Sequence, residues 1–369
     1  MWAASSRSWT RVSLTPFAAN TCIAARKTPA RPRLSSSRRI PLSSTSGYAL
    51  YPRLTENNEP ISLTRRPGIH HVYPMSSARL RPMGEAEPDS PITVLTGATG
   101  GIGGVVARRL LEAGHRLILP VRSADRGERL CATLMEEVPD AWVRWVPCDL
   151  ASMASVRECA EEIDGCVPKL DRLVNNAAVY GAPRGQTVDG HETHLAVNYL
   201  APFLLTHLLL PALERAESAR VINVSGETAR LARIDMKDLN RARRYTVLGA
   251  YGQAKLALIL FTRALASRLR GTDVSVHAVH PGPAATGHLE AAPRWLRWLW
   301  SLLPGPRGAA RSVWRLVLLP QLAASGSYYL GRLRGPAPCA AYRAGLVDAL
   351  YARSSELVGV PALREPGDA

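Results

Sequence analysis

The sequence of 369 residues predicts an α/β fold, in which a doubly wound parallel sheet of about seven strands carries helices on both faces. Two observations predict it. From residue 91 onward, short apolar segments rich in β-branched residues alternate with longer segments of helical period. A glycine-rich turn, TGATGGIG at 96–103, joins the first apolar segment to the first helical one. We therefore expect a single domain over residues 91–369.

The strands are predicted from the short apolar runs and the helices from the segments between them. The first helix follows the glycine-rich turn and ends at Gly114, which is suited to a C-cap. Pro120 is an exception within the second strand, because proline donates no hydrogen bond to a ladder. The predicted strands are 91–96, 116–121, 142–148, 172–176, 220–225, 274–280 and 327–331, and the later helices are 124–136, 151–164, 189–215 and 247–270.

Residues 1–90 differ in composition from the rest of the chain. They hold 13 Lys and Arg against 5 Asp and Glu, the first acid is Glu56, and no helical or strand period persists. We predict a disordered, basic extension. An arginine- and serine-rich start with few acids is typical of an organellar transit peptide, which would place the protein in a mitochondrion or plastid. Alternatively, translation begins at Met75 or Met83 and the protein is cytoplasmic.

The net charge of +16 raises the question of a nucleic-acid partner. Half of that charge lies in residues 1–90, so the rest of the chain is only mildly basic and we expect no nucleic acid to bind. The 6 cysteines show neither a CxxC pair nor a regular spacing, so we expect no metal site and a reducing compartment. No apolar stretch reaches the roughly 20 residues that a transmembrane helix needs.

The glycine-rich turn predicts a dinucleotide-binding site. Glycines allow a tight turn and let backbone N–H groups approach a pyrophosphate, which the positive end of the following helix stabilises. The motif indicates such a site because a predicted strand precedes it and a predicted helix follows it. Where NAD enzymes place an acid for the ribose 2′-hydroxyl, at the end of the second strand, this chain has Val121 and Arg122. Because an arginine pairs with a 2′-phosphate, we predict NADP(H) as the cofactor.

Tyr251 and Lys255 are predicted to act together. They lie four residues apart at the start of an apolar helix, so their side chains share one face. A nearby ammonium group favours the tyrosinate and is expected to lower the tyrosine pKa from about 10 toward the working range of a general acid or base. The pair therefore predicts a site of proton transfer.

From about residue 91 to 360 the chain resembles the short-chain dehydrogenases/reductases, and more closely their retinol dehydrogenase-like branch. The glycine-rich turn matches the family's TGxxxGxG. LVNNAA at 173–178 is similar to its NNAG, and HPGPAAT at 280–286 to its PGxxxT. CDLAS at 148–152 and LAVNYLAPFLLTHLLLP at 195–211 resemble the segments that carry the adenine-contacting aspartate and the catalytic asparagine. The resemblance implies a Rossmann fold and hydride transfer between a nicotinamide cofactor and an alcohol or carbonyl substrate.

The resemblance also implies a role for each matching residue. Tyr251 would exchange a proton with the substrate oxygen, Lys255 would bind the nicotinamide ribose, and Asn198 would hold a water in a proton relay. These three are the predicted catalytic residues. The predicted cofactor-binding residues are Gly97, Thr99, Gly101, Ile102, Gly103, Arg122, Asp149, Asn176, Ala177, Tyr251, Lys255, Pro281, Gly282 and Thr286.

One position departs from the family pattern. The family's NxSS strand end supplies a catalytic serine as its second Ser, whereas this chain reads NVSG at 223–226. Gly226 cannot donate a hydrogen bond to a substrate oxygen, and Ser225 should face the opposite way in a strand, so Ser225, Thr228 or a water is left to replace the donor. Loss of such a donor is expected to slow catalysis by about 10²-fold. A second hypothesis is therefore an NADP(H)-binding scaffold or sensor with little catalysis. Ala178, in place of the family's glycine, needs only a compatible backbone angle.

The substrate side is predicted from the segment before the last strand, a lid over about residues 287–320. Residues 289–303 hold three of the chain's 8 tryptophans, which favours a bulky, lipophilic alcohol or carbonyl. The alternatives are that these residues only pack the lid, or that they touch a membrane surface as an amphipathic helix. The helices at 189–215 and 247–270 are apolar on more than one face, which predicts a homodimer or tetramer through them.

Overall fold

The computed structural model describes residues 90–181, 183–282 and 306–364 of the chain, all within one compact unit. Strands and helices alternate along it. The strands are β1 (Ile92–Leu95), β2 (Arg116–Val121), β3 (Val143–Pro147), β4 (Arg172–Asn175), β5 (Ala219–Val224), β6 (Val274–His280), β7 (Tyr328–Leu330) and β8 (Leu333–Gly335). The helices are α1 (Gly101–Glu112), α2 (Ala124–Glu137), α3 (Met153–Cys166), α4 (Thr193–Leu195), α5 (Ala201–Leu208), α6 (Leu210–Glu214), α7 (Val247–Arg268), α8 (Pro306–Leu318) and α9 (Ala344–Val358).

The strands form one sheet in the order β3-β2-β1-β4-β5-β6-β7-β8. All neighbours are parallel except β7 and β8. The strand order reverses beside β1, and such a switch point opens a crevice at the carboxyl ends of the strands. The predicted doubly wound α/β fold is confirmed, with eight strands in place of about seven.

The sheet is buried between two helical layers, which explains why its strands are apolar almost throughout. Side chains alternate along a strand, so Val221 and Ile222 of β5 enter opposite layers. The layer around Val221 contains α3, α5, α7 and α9. The layer around Ile222 contains α1, α2 and α8. A parallel sheet covered on both faces requires this near-continuous burial.

The predicted strand boundaries agree with the structure to within one residue at each end. Pro120 is tolerated in β2 because the pairing of β2 with β1 ends at Ile118. The helix predicted at 189–215 is instead divided into α4, a π-helical turn (Ala196–Leu200), α5 and α6. Pro202 and Pro211 each stand in the first turn of a new segment, where a missing N–H donor costs no helical bond. Strand β8 and helix α9 were not predicted from the sequence.

The second half of the predicted lid belongs to the core. Residues Pro306–Leu318 form α8, and its Ala310, Val313 and Leu316 are buried against α1 and the sheet. A helix with this buried face cannot open as part of a lid. Residues 287–305, with the three tryptophans, lie outside the described residues.

The apolar surface that was predicted to bind a second copy is covered by α9 of the same chain. Tyr351 of α9 packs against Phe203 of α5 and Phe261 of α7, with ring centroids 5.3 and 6.4 Å away. Its hydroxyl lies 2.7 Å from Nε2 of His207 on α5. All three aromatic rings are at most 1% exposed. These faces of α5 and α7 are thus filled within the chain, and the oligomeric state stays a prediction.

The longest described helix, α7, has 22 residues. Within the described ranges, no helix combines the length and the hydropathy that a membrane span requires.

We expect Tyr351→Ala to lower the free energy of unfolding by about 3–5 kcal/mol, because it leaves a cavity between α5, α7 and α9. Urea denaturation measures the change. Leu333→Ala removes a side chain that is 76% exposed and serves as the control, with an expected change within about 0.5 kcal/mol. Equal unfolding free energies for the two variants would show that α9 does not pack in this way.

Candidate active site

The glycine-rich turn is held against the end of β4 too closely for any side chain at two positions. A Cβ on Gly97 would lie 2.6 Å from the Cα of Ala177, and Gly97 also has a φ of +71°. A Cβ on Gly103 would lie 2.1 Å from the carbonyl oxygen of Gly97. Such distances are far below van der Waals contact, so these two glycines are required by the packing of the turn.

The turn leads into the N-terminus of α1. Gly100 is the N-cap and provides no side-chain hydrogen bond to the first turn of the helix. Thr99 and Gly101 are exposed, and Ile102 is partly exposed. An uncapped helix N-terminus with accessible N–H groups is suited to bind an anion such as a pyrophosphate.

Asn176 and Ala177 hold the turn in place from β4. The Asn176 side chain donates to the carbonyl oxygen of Thr96 at 3.0 Å. The Thr96 hydroxyl accepts from the backbone N–H groups of Asn176 and Ala177, both at 3.0 Å. Ala178 does not adopt a positive φ, so the alanine in place of the family's glycine introduces no strain. Asn176 and Ala177 therefore position the backbone of the glycine-rich turn.

Arg122 and Asp149 lie at the carboxyl ends of two neighbouring strands, β2 and β3. Arg122 is exposed, directly after the buried Val121. Asp149 is partly buried and accepts a hydrogen bond from the backbone N–H of Ala151 at 3.0 Å. Because β3, β2 and β1 are neighbouring strands, both residues lie at the same edge of the sheet as the glycine-rich turn.

Tyr251 and Lys255 lie one turn apart on α7, over the end of β5. The Lys255 side chain is only 1% exposed. Its Nζ donates a 2.8 Å hydrogen bond to the carbonyl oxygen of Val224 and lies 5.8 Å from the centre of the Tyr251 ring. The two side chains share one helix face, as the spacing predicts.

The protonation of this pair differs from the expectation. Burial lowers the pKa of Lys255 to about 7. Burial, and to a smaller extent the neighbouring Tyr180, raises the pKa of Tyr251 to about 12. The expected lowering of the tyrosine pKa by Lys255 is thus not found, because desolvation disfavours the charged form of both groups. The Tyr251 hydroxyl is protonated at neutral pH and is suited to donate a proton.

Asn198 lies in the π-helical turn and is fully buried. Its amide nitrogen donates to the carbonyl oxygen of Val179 at 2.9 Å, and its amide oxygen accepts from the N–H of Val179 at 2.8 Å. The side chain therefore fixes the segment after β4 to this helix. π-helical turns are frequent at functional sites. The role in a water relay stays a prediction.

Gly226 faces the tyrosine hydroxyl. A Cβ on Gly226 would lie 3.4 Å from the Tyr251 hydroxyl oxygen, and the backbone is extended, with φ −157° and ψ 162°. Ser225 points the other way and is already occupied, since its hydroxyl donates to the carbonyl oxygen of Lys255 at 2.9 Å. The Thr228 hydroxyl is buried and has no hydrogen-bond partner among the described residues. Of the two side chains predicted to replace the serine, only Thr228 is unengaged.

The segment after β6 is described only at its start. Pro281 is buried, and its carbonyl oxygen accepts a 3.2 Å hydrogen bond from Ser312 of α8. Gly282 has a φ of +97°, a backbone angle that residues with a side chain rarely adopt. Thr286 lies outside the described residues.

Two aromatic neighbours of Tyr251 were not predicted. Tyr180 meets the Tyr251 ring edge-on at 4.9 Å, and His194 meets it edge-on at 6.3 Å between centroids. The only sequence signal for His194 was its place just before LAVN in the helix that carries Asn198. Within the described ranges, no group of three or more His, Cys, Asp or Glu residues could hold a metal ion.

Residues 91–297 match the model of the short chain dehydrogenase family. The chain belongs to that family. It is 36% identical over 286 residues to human retinol dehydrogenase 13, covering 74% of this chain and 86% of the relative. It is 41% identical over 191 residues to mouse retinol dehydrogenase 12, covering 52% of this chain and 60% of the relative. The family is one of oxidoreductases that use a nicotinamide cofactor, and the chain resembles its retinol dehydrogenase branch.

Solved structures show the same fold. An uncharacterized protein from Mycobacterium paratuberculosis is 33% identical, with a TM-score of 0.61 over 74% of this chain and 97% of that one. The active-site complex of Pseudomonas aeruginosa RhlG with NADP is 27% identical, with a TM-score of 0.52 over 66% of this chain and 96% of that one. The predicted Rossmann-type sheet is confirmed by these neighbours.

We expect Gly103→Ala to abolish binding of a nicotinamide dinucleotide and to lower the melting temperature, because the added methyl group displaces the backbone of Gly97. Fluorescence titration with NADPH and thermal unfolding measure the two effects. Gly165→Ala on α3 is the control, since a Cβ there meets nothing within 4 Å. Unchanged NADPH binding in Gly103→Ala would contradict the assignment of the turn.

Proposed function

We propose that this protein is an NADP(H)-dependent oxidoreductase that interconverts an alcohol and a carbonyl group on a small, lipophilic substrate. One observation carries the proposal. The protonated hydroxyl of Tyr251 stands at the end of β5, beside the position of Gly226, on the sheet edge that also holds the glycine-rich turn. A proton donor next to a dinucleotide site is the arrangement that carbonyl reduction requires.

The residues of this edge fit a nicotinamide dinucleotide. Gly97 and Gly103 leave the turn without side chains, and the uncapped start of α1 offers N–H donors for the pyrophosphate. When bound, the cofactor supplies or accepts the hydride. The chain's own part is to bind and orient it and to move the proton.

Two features favour a cofactor with a 2′-phosphate. The residue at the end of β2 is the apolar Val121 rather than an acid, and the exposed Arg122 follows it. Ser123, the N-cap of α2, follows Arg122, and its side chain makes no capping hydrogen bond. An arginine at this point accommodates the 2′-phosphate of NADP.

We expect Arg122→Ala to weaken NADPH binding by about 10-fold or more, as loss of a charge-assisted hydrogen bond does, while NADH binding changes little. Titrations of protein fluorescence with each nucleotide measure both constants. Arg353→Ala, an exposed arginine on α9, is the charge-matched control and should change neither. Equal losses for NADPH and NADH would refute the 2′-phosphate assignment.

In the reductive direction, the Tyr251 hydroxyl donates its proton to the carbonyl oxygen while a hydride reaches the carbonyl carbon, and the product is an alcohol. The raised pKa of Tyr251 keeps that proton available at neutral pH. Lys255 anchors the helix beneath the tyrosine through Val224, and burial lowers its pKa to about 7. Oxidation of an alcohol runs through the same groups in reverse.

Exposed apolar side chains near the site support a lipophilic substrate. Leu231 follows the turn that begins at Glu227 and is 90% exposed, and Leu248, in the first turn of α7, is 57% exposed. Tyr180, which contacts Tyr251, is 40% exposed. Apolar walls with few polar groups are characteristic of small-molecule pockets. The three tryptophans at 289–303 lie outside the described residues, and the predictions that they line a substrate lid, only pack that lid or touch a membrane surface stay open.

Gly226 supports a second candidate function, an NADP(H)-binding scaffold or sensor. Without a serine at this position, the side chains left among those described to hold the substrate oxygen are Tyr251 and Thr228, whose hydroxyl has no partner there. Neither function needs a nucleic acid. The location stays predicted as cytoplasmic, or mitochondrial or plastidic if residues 1–90 are a transit peptide.

We expect Gly226→Ser to raise turnover by up to about 10²-fold, because it restores the second donor to the substrate oxygen. The extended backbone accepts a serine, and its Cβ would sit 3.4 Å from the Tyr251 hydroxyl without a clash. NADPH oxidation against a panel of aliphatic and polycyclic carbonyls measures turnover. Tyr251→Phe should abolish it in both backgrounds, with NADPH binding retained.

The outcomes separate the two candidate functions. Turnover that disappears with Tyr251→Phe establishes catalysis. A decrease with Gly226→Ser would mean that another group, such as Thr228, already holds the substrate oxygen. NADPH binding without turnover, in the natural chain and in Gly226→Ser, would favour the sensor.

A further inference from the structure

A buried hydrogen-bonded group lies beside Tyr251 and has no part in the functions described above. Oε1 of Glu192 lies 2.7 Å from Nδ1 of His194 and accepts from the Tyr245 hydroxyl at 3.5 Å. The same hydroxyl is 3.3 Å from the imidazole Nδ1. Glu192 is 2% exposed and His194 is fully buried. A charged residue is almost never buried to this extent unless it is paired.

The Glu192 carboxylate also holds the helix that carries Asn198. It is the N-cap of α4, where Oε1 accepts from the N–H of His194 at 3.0 Å and Oε2 accepts from the N–H of Leu195 at 2.9 Å. Burial acts to raise the pKa of Glu192, but the hydrogen bonds from the His194 ring and from these backbone groups outweigh it and hold the pKa below its ordinary value. The carboxylate is therefore ionised and rigidly held.

The imidazole joins this carboxylate to Tyr251. Its Nδ1 faces Glu192, and its ring meets the Tyr251 ring at a centroid distance of 6.3 Å and an angle of 85°. Its Nε2 is buried and has no hydrogen-bond partner among the described residues. A buried ring nitrogen without a hydrogen-bond partner is unfavourable. Glu192, with Tyr245 beside it, is what sets the orientation of the ring.

We propose that Glu192 and His194 are positioning residues for Tyr251: the carboxylate fixes the imidazole, and the imidazole fixes the phenol ring that transfers the proton. His194, held by Glu192, contacts the phenol ring of Tyr251, and Tyr180 contacts the same ring at a centroid distance of 4.9 Å. Because Glu192 also caps the helix of Asn198, a single carboxylate orients two residues of the site. The expected effect on kcat rests on the proposed oxidoreductase function, whereas the contact between the His194 and Tyr251 rings does not.

Two substitutions of His194 separate the parts of this arrangement. His194→Phe keeps a ring against Tyr251 but removes the hydrogen bond to Glu192. His194→Asn keeps a nitrogen donor where Nδ1 stands but removes the ring. Since misplacement by about 1 Å can cost 10²-fold in rate, each is expected to lower kcat by about 10-fold to 10²-fold, with NADPH binding unchanged.

His207→Phe is the matched control. His207 is a partly buried imidazole with two hydrogen bonds, to the carbonyl oxygen of Phe203 and to Tyr351. Its loss should lower the melting temperature as much as the loss of His194, but it should leave kcat unchanged. Unchanged kcat in either His194 variant would overturn the proposal. An equal fall of kcat in His207→Phe would also overturn it, because the effect would then be general destabilisation.

A second measurement does not need turnover. In protein labelled with 3-fluorotyrosine, the ¹⁹F resonance of Tyr251 is identified by its loss in Tyr251→Phe. We expect it to shift or broaden in both His194 variants and to stay in place in His207→Phe. Glu192→Gln keeps the shape of the side chain and an acceptor for the helix cap. We expect it to move the Tyr251 resonance as well, and it replaces a His194 variant that does not fold. A resonance that none of these variants moves overturns the positioning role, whereas a moved resonance in a protein without turnover overturns only the proposed oxidoreductase function.

Discussion

Two hydrogen bonds between the end of β5 and the middle of α7 set the geometry on which the site depends. Lys255 donates through Nζ to the carbonyl oxygen of Val224, and Ser225 donates through its hydroxyl to the carbonyl oxygen of Lys255. A lysine buried to this degree loses most of its hydration, so its pKa falls to about 7 and its position is stable only where a strong acceptor is present. The two bonds run in opposite directions and prevent α7 from sliding along β5. One turn earlier on the helix, this register brings the Tyr251 hydroxyl opposite Gly226.

A chain of buried amides and hydroxyls extends the same constraint across the sheet. Asn175 of β4 donates to Asn223 of β5 at 2.9 Å and to Thr206 of α5 at 3.1 Å. Asn223 in turn donates to Thr262 of α7 at 2.9 Å. These groups are uncharged, so they avoid the large desolvation cost of ions while still requiring one register of strands and helices. The helix segments that carry Asn198 and Tyr251 are thereby fixed to the same two strands, and the end of β4 in turn holds the glycine-rich turn through Asn176.

The features that sequence could predict are those with a local cause. Strands buried on both faces produce apolar runs wherever they occur. Gly97 is required by its own positive φ, and Gly103 by the carbonyl oxygen of Gly97 within the turn, so both kinds of feature leave a direct mark in the residues. The helix α9 was missed because its buried position depends on contacts of Tyr351 with residues that lie about 90 and about 150 positions away in the chain. The same limit applies to protonation. The spacing of Tyr251 and Lys255 places them on one face, but the depth of burial that reverses the expected tyrosine pKa is a property of the packed layers.

The absence of a serine at position 226 increases the dependence of the site on the buried imidazole of His194. The backbone at Gly226 is extended and accepts any residue, so the conformation of the chain does not demand a glycine there. What the glycine changes is the space and the hydrogen bonding next to the Tyr251 hydroxyl, 3.4 Å away from the place of a Cβ. In a site with two donors, the substrate oxygen is located by both, and a small displacement of either is corrected by the other. Here Tyr251 is the donor that lies opposite Gly226, so the precision of its placement falls on the groups that hold its ring. Tyr180 and His194 are those groups, and His194 is held by an ionised carboxylate that also caps the helix of Asn198. A site that depends on one donor therefore depends more strongly on the rigidity of the residues behind it.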